Sequence, residues 1–251
     1  MTHPLHRWTV RAQHWQLSNA IQGTLLPVFG GIEQKAQEFS QELQGMDCSS
    51  DNPCHSEDEY RAAQEVYFAD GLRSIEAEMA GMAVVALYHL WERSVKTLLS
   101  QKCPSDQRDE IANANFDKIK TLLKKGTLLK KCTSPSESTG APETIELPPK
   151  CTCALESIDL GRLITNVIKH GEGSSAEALQ DREPELFTRP WNDEDVPLPS
   201  NHSVAVIWPQ PVHARKLAVA IAVFWKYLPD SYFPARSGRL KLEDVLNEDF
   251  A

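Results

Sequence analysis

The sequence lacks any long apolar run. Its 251 residues contain no stretch of about 18 consecutive apolar residues, the length that a membrane-spanning helix requires. The segment Met1–Trp8 also lacks the apolar core of a secretory signal. We therefore expect no membrane association and a cytoplasmic location, in which the six cysteines stay reduced.

Common enzyme signatures are absent as well. The sequence has no GxxxxGK phosphate loop, no HExxH pair, no GxSxG elbow and no GxGxxG turn. Cys132, Cys151 and Cys153 do not form the paired Cys-x-x-Cys motifs of a structural zinc site. These absences exclude the usual nucleotide-cofactor, zinc-peptidase and serine-hydrolase classes, and we predict neither a cofactor nor a metal.

Basic residues are fewer than acidic residues. Lys and Arg number 26 against 35 Asp and Glu, which gives a formal net charge of -9. A protein that binds nucleic acid regardless of sequence is normally basic overall, so this class is disfavoured, although a local basic groove remains compatible with the total. The apolar fraction of 41% predicts a globular protein with a sizeable core.

Apolar residues recur at helical spacing in several segments. The longest is 58–101, where Gly71 and Gly81 are the weak points and the inward positions are Val84, Leu87, Tyr88, Trp91, Val95, Leu98 and Leu99. Further helices are predicted at 105–129, 154–170 and 211–227, the last opened by Pro211. We predict an all-α fold, a bundle of about four to five core helices with long irregular connections. Segments 82–100, 154–170 and 211–227 should pack together at its centre.

Composition suggests the domain boundaries. We predict that residues 1–57 are an N-terminal helical extension and loop, residues 58–230 the bundle, and residues 231–251 a tail. Proline, serine and glycine at 132–153 predict a mobile loop, of which residues 133–150 should make no core contacts. Ser56 and either Ser174 or Ser175 are the expected helix N-caps, and 204–208 is a candidate short strand.

Three polar residues share one edge of the helix at 154–170. Arg162, Asn166 and His170 lie at i, i+4 and i+8, beside an apolar face of Leu160, Leu163, Ile164, Val167 and Ile168. Imidazole transfers protons near neutral pH, and a guanidinium binds phosphate oxygens, so this polar edge suits phosphoryl transfer without a metal. The alternative is that a helix C-terminus, closed by Gly171, simply favours a histidine in its last turn.

A second polar group lies in the long helix. His89, Glu92 and Arg93 fall within one turn, and Glu92 and Arg93 would reach the polar edge if the two helices pack antiparallel. Lys169 supplies a further cation beside His170. The alternative for the group on the long helix is a solvated or salt-bridged helix face.

Two of these segments resemble the HEPN superfamily of helical-bundle proteins. They are Leu87-Tyr-His-Leu-Trp-Glu-Arg93 on the long helix and Asn166-Val-Ile-Lys-His-Gly171 at the end of a later helix, and the resemblance covers residues 75–228. The family hallmark is an arginine, four to six residues, then a histidine. His170 and Asn166 match family positions. Arg162 precedes His170 by seven intervening residues, and Thr165 or Asn166 stands where the arginine is usual.

The resemblance implies a metal-independent endoribonuclease of the kind found as toxins or antiviral effectors, with RNA as substrate. His170 would be the general acid or base, Arg162 would stabilise the phosphorane, and Asn166 would orient the substrate. Glu92, Arg93 and Lys169 would support them. Each helix edge offers one imidazole, whereas acid–base cleavage of RNA needs two proton-transfer roles, so we predict a homodimer with the two-fold axis near His170, as is typical of HEPN nucleases. Leu163 and Val167, beside the polar edge, would contribute to the contact. The partner would be an antitoxin or regulatory protein. The alternative is a non-catalytic interaction or nucleotide-sensing module that regulates a partner.

Overall fold

The computed structural model describes part of the chain. The described residues are 27, 30, 31, 34, 35, 38, 41, 55–103, 105–125, 146–188, 206–229 and 232, with 55–65, 102 and 125 described by backbone alone. From residue 55 onward these ranges contain six α-helices and no strand. The all-α prediction is therefore confirmed. No helix in the described ranges is both long enough and apolar enough to span a membrane.

The described helices follow one another in this order along the chain. They are α1 (His55–Lys102), α2 (Arg108–Ala112), α3 (Phe116–Lys125), α4 (Pro149–His170), α5 (Ser174–Arg182) and α6 (Pro211–Tyr227). Two 3-10 turns, Ser105–Gln107 and Pro184–Phe187, precede α2 and follow α5. Pro211 opens α6 as predicted, because a proline lacks an N–H that the first helical turn would leave unpaired anyway.

Helix α1 runs without a break through both glycines. Gly71 and Gly81 therefore do not divide it, since single glycines weaken a helix by only about 1 kcal/mol each. Its start at His55 places Ser56 inside the helix, so the prediction of Ser56 as the N-cap is wrong.

The prediction of one helix over 105–129 is wrong in one respect, because the helix is interrupted between α2 and α3. Asn113 donates its side-chain amide to the carbonyl of Asp109, and the Asn115 side-chain oxygen accepts the Lys118 amide at 2.9 Å. Asparagine side chains compete with the helical backbone in this way, which ends α2 and caps α3. Residues 126–129 lie outside the described part.

Helix α4 begins at Pro149 rather than near Ala154, so the predicted loop at 132–153 is wrong for 149–153. Its first turn is not mobile surface. The Cys151 side chain is buried, and its thiol donates to the Phe224 carbonyl at 3.6 Å. Burial raises the pKa of Cys151 to about 11, so the thiol stays protonated at neutral pH.

Two neighbours of that turn also contact other parts of the chain. Leu147 is buried, contrary to the prediction that the loop makes no core contacts. Lys150 donates a 2.9 Å hydrogen bond to the Tyr227 hydroxyl, which together with its charge lowers the pKa of Tyr227. The rest of the predicted loop, up to residue 145, lies outside the described residues.

The chain divides into two compact units. Within the described residues, the first unit takes in Leu87–Leu160 and the chain from Lys216 onward. The second takes in Gly161–Arg215 and the part of α1 before Leu87. Helices α1, α4 and α6 each continue from one unit into the other.

An aromatic cluster lies at the centre of the first unit. The Trp91 ring lies 5.8 Å from that of Phe116 and 5.6 Å from that of Phe224, the latter nearly edge to face. Trp91 and Phe224 are 1% and 0% exposed. Burial of each large side chain contributes roughly 1.5–3 kcal/mol, and each aromatic pair about 0.5–1.5 kcal/mol more. Within this unit, the predicted packing of α1 against α6 is confirmed by the contact between Trp91 and Phe224. The bond from the Cys151 thiol to the Phe224 carbonyl joins the first turn of α4 to α6.

The second unit is held by contacts around α4. Leu163, Ile164 and Val167 are buried, as predicted. Ile168 is 40% exposed, so its assignment to the buried face is wrong. The predicted strand at 204–208 is absent at its described positions, 206–208. Instead, the Trp208 amide donates to the Leu186 carbonyl at 2.7 Å.

The two glycines of α1 allow a paired stability test. A Cβ at Gly71 would meet nothing within 4 Å, whereas a Cβ at Gly81 would lie 3.0 Å from Ile168 Cδ1. We expect Gly71→Ala to raise the free energy of unfolding by about 0.5–1 kcal/mol through helix propensity. Gly81→Ala should gain less, because Ile168 must move. Urea denaturation measures both changes. A loss of stability at Gly71 would contradict a continuous α1.

Candidate functional site

Helix α4 places the predicted polar residues along one edge. Arg162 and Asn166 are partly buried and His170 is exposed, while Leu163 and Val167 of the adjoining face are almost fully covered. The helical periodicity that turns the apolar residues inward therefore turns this polar edge outward. All three polar residues belong to the second unit.

His170 is the last residue of α4. Gly171 follows with a φ of 71°, in the left-handed region that glycine adopts without strain, and donates its amide to the Val167 carbonyl at 2.8 Å. The predicted helix stop at Gly171 is thus confirmed. Among the described residues, neither Lys169 nor His170 has a side-chain hydrogen bond or ion pair. Both side chains lie in the last turn of α4, where the helix dipole favours positive charge.

Asn166 has a structural partner. Its side-chain amide donates to the Ser175 hydroxyl at 3.2 Å and so joins α4 to the first turn of α5. Neither Ser174 nor Ser175 is the N-cap of α5, as the sequence had suggested. Gly173 holds that position, and no side chain caps the helix. The cap prediction is wrong because the helix already begins at Ser174, so both serines lie inside it. The side-chain oxygen of Asn166 and its second amide N–H remain for a ligand.

Thr165 faces the interior. It is 0% exposed, and its hydroxyl has no hydrogen-bond partner in the described part of the chain. Although Thr165 stands near the usual arginine position of the HEPN motif, it does not reach the polar edge. The guanidinium on that edge is the one at Arg162.

A second polar surface lies in the first unit, between α1 and the region of α2. It is an open cleft of about 600 Å³. We call it the cationic cleft, and the ionisable side chains that line it are those of His89, Glu92, Arg93, Lys96 and Arg108. Lys96 Nζ lies 3.0 Å from one Glu92 oxygen, and His89 Nδ1 lies 3.4 Å from the other.

The cationic cleft contains two of the predicted supporting residues and two that the sequence analysis missed. Glu92 and Arg93 were expected, whereas Lys96 and Arg108 were not. The i, i+4 spacing of Glu92 and Lys96 was a usable signal. Arg108 was not predictable from spacing, because it comes from another helix. The prediction that Glu92 and Arg93 support the polar edge on α4 stays a prediction.

Metal ligands do not converge within the described ranges. No group of three or more His, Cys, Asp or Glu side chains is placed there to hold an ion. Of the three cysteines near the predicted loop, Cys151 is buried, Cys153 is exposed and Cys132 lies outside the described residues.

Comparison with known proteins identifies no relative of the chain. No protein-family model, curated protein or solved structure matches the chain. The resemblance to HEPN proteins therefore rests on the two short segments 87–93 and 166–171 alone.

The unpaired hydroxyl of Thr165 gives a test of the orientation of α4. Thr165→Val replaces the hydroxyl with a methyl group of similar shape and removes an unsatisfied buried polar group. We expect the free energy of unfolding to rise by about 1 kcal/mol. Thr165→Ala, the control, should lower it, because it leaves a cavity. A loss of stability in Thr165→Val would show that the hydroxyl is bonded and that this face is oriented differently.

Proposed function

We propose that the chain is a metal-independent endoribonuclease of HEPN type, with Arg162, Asn166 and His170 as its reacting edge. The observation that supports this most is the exposed imidazole of His170 at the end of α4, on the same helix edge as the Arg162 guanidinium. A neutral or protonated imidazole in reach of solvent is suited to proton transfer at cellular pH.

In the proposed reaction, a ribose 2′-hydroxyl attacks the adjacent phosphorus while His170 takes its proton. The bond from phosphorus to the 5′-oxygen breaks, and that oxygen receives a proton, which leaves a 2′,3′-cyclic phosphate and a 5′-hydroxyl. Arg162 stabilises the charge on the phosphorane. Because its amide is held by Ser175, Asn166 orients the RNA through its side-chain oxygen.

The reaction needs one group to remove a proton and another to deliver one, and each edge has a single imidazole. A homodimer with its two-fold axis near His170 would supply the second. The sequence had suggested Leu163 and Val167 for this contact, but they are 3% and 2% exposed and belong to the chain's own core. Ile168, the exposed apolar neighbour of His170, takes their place in the proposal. An antitoxin or regulatory protein would cover the same edge.

A second candidate function is a non-catalytic interaction module. The bond between Asn166 and Ser175 favours it, because an asparagine that fastens α5 to α4 already has a structural role. His170 would then serve only as a favourable charge at the helix terminus. A protein partner that binds this edge would be regulated without RNA cleavage.

RNA cleavage in excess chelator separates the two candidates. We expect the wild-type protein to cut total RNA to products with 2′,3′-cyclic phosphate ends. His170→Ala should lose about 10²–10⁴-fold in rate, since that is the usual contribution of general acid–base catalysis. Glu177→Gln, an exposed change on α5, is the matched control and should keep full activity. Overexpression should slow growth of the host, and His170→Ala should relieve it.

The same preparations test the dimer by light scattering. Full activity in His170→Ala would contradict the catalytic role of that residue. A wild-type protein that cuts no RNA would favour the interaction module. A stable monomer that is nevertheless active would overturn the composite site while leaving the ribonuclease assignment in place.

A further inference from the structure

The cationic cleft of the first unit contains none of Arg162, Asn166 and His170, the three residues of the proposed reacting edge. We infer that it binds a small ligand through a polyphosphate group, either free pyrophosphate or the phosphate tail of a nucleotide. Arg93, Arg108 and Lys96 would provide the N–H donors. This inference concerns binding at α1 and α2 and does not rest on the ribonuclease proposal.

Charge pairing around the cleft leaves two guanidinium groups available. Arg93 and Arg108 are exposed, and neither side chain forms an ion pair with another described residue. Two nearby carboxylates bind other cations: Glu92 binds Lys96, and Glu110 binds Lys118 at 2.8 Å. In a chain with nine more acidic than basic side chains, two unpaired arginines that line one concavity are a local reversal of charge.

Guanidinium groups suit phosphate better than they suit most other anions. Each presents parallel N–H donors that match two phosphate oxygens, and each keeps its charge at any cellular pH. Two such groups balance the charge of about -2 on one terminal phosphate. A second phosphate would draw Lys96 away from Glu92. The ligand chemistry that fits the lining is therefore a polyphosphate rather than a single carboxylate.

The dimensions of the cleft favour a small molecule. Its volume of about 600 Å³ lies within the range of roughly 300–1,000 Å³ typical of small-ligand sites. The Thr97 hydroxyl donates its hydrogen to the Arg93 carbonyl, and the Ser100 hydroxyl donates its hydrogen to the Lys96 carbonyl. Neither hydroxyl therefore has a hydrogen left to donate to the ligand. Recognition thus falls to the three cationic side chains.

Calorimetric titration of the full chain with pyrophosphate and with ATP, in chelator and low salt, tests the inference. Arg93→Gln and Arg108→Gln should each weaken binding about tenfold or more, as expected for loss of a charge-assisted pair. Glu92→Gln should strengthen it several-fold, because it removes the one carboxylate among the described residues of the lining and releases Lys96. Arg215→Gln, which removes an exposed arginine on α6, is the matched control and should bind as the wild type does.

The two ligands identify the source of the phosphate. Equal affinity would show that the cleft recognises the polyphosphate alone, and tighter binding of ATP would show that it also holds the nucleoside. Absence of binding by both, or equal weakening in Arg215→Gln and Arg93→Gln, would overturn the inference. So would a single-stranded RNA that binds through Arg93 and Arg108 more tightly than either small ligand does. Thermal unfolding of each variant shows that it is folded, and the readout is independent of RNA cleavage.

Discussion

The contact of Trp91 with Phe116 and Phe224 is the interaction on which the first unit depends. It fixes the rotation of α1 about its own axis, and with it the position of every polar group on that helix. Each residue turns an α-helix by about 100°, so a slip of one position would carry Glu92 into the core. An uncompensated buried charge costs several kcal/mol. The aromatic cluster therefore determines that Glu92, Arg93 and Lys96 line a solvent-filled cleft.

The cluster carries a cost as well. The Trp91 indole N–H is buried without a hydrogen-bond partner among the described residues, a loss of about 1–3 kcal/mol. The aromatic contacts and the area that the ring buries must exceed that loss for this rotamer to persist. In the second unit, α4 shows the same balance on a smaller scale. Leu163, Ile164 and Val167 turn inward, Thr165 loses its hydrogen bond, and Arg162, Asn166 and His170 remain at the surface.

Periodicity in the sequence was enough to predict α6, α1 and the buried face of α1, because a strong apolar repeat leaves one low-energy rotation for the helix that carries it. It also predicted the end of α4, since Gly171 supplies the left-handed residue. It failed at the start of α4, where Pro148 and Pro149 resemble a loop although a first helical turn accepts proline. The partner of Asn166 and the convergence of Arg108 on α1 were not predictable, because both are tertiary contacts with no local signature.

The central claim is that the aromatic contact between α1 and α6 sets the orientation of the polar surfaces of α1, and a double-mutant cycle tests it most directly. The cycle compares the free energies of unfolding of wild type, Trp91→Leu, Phe224→Leu and the double variant. The account predicts a coupling of about 0.5–1.5 kcal/mol between the two positions, the value usual for an aromatic pair. Effects that add to within about 0.3 kcal/mol, as for residues that do not touch, would contradict it.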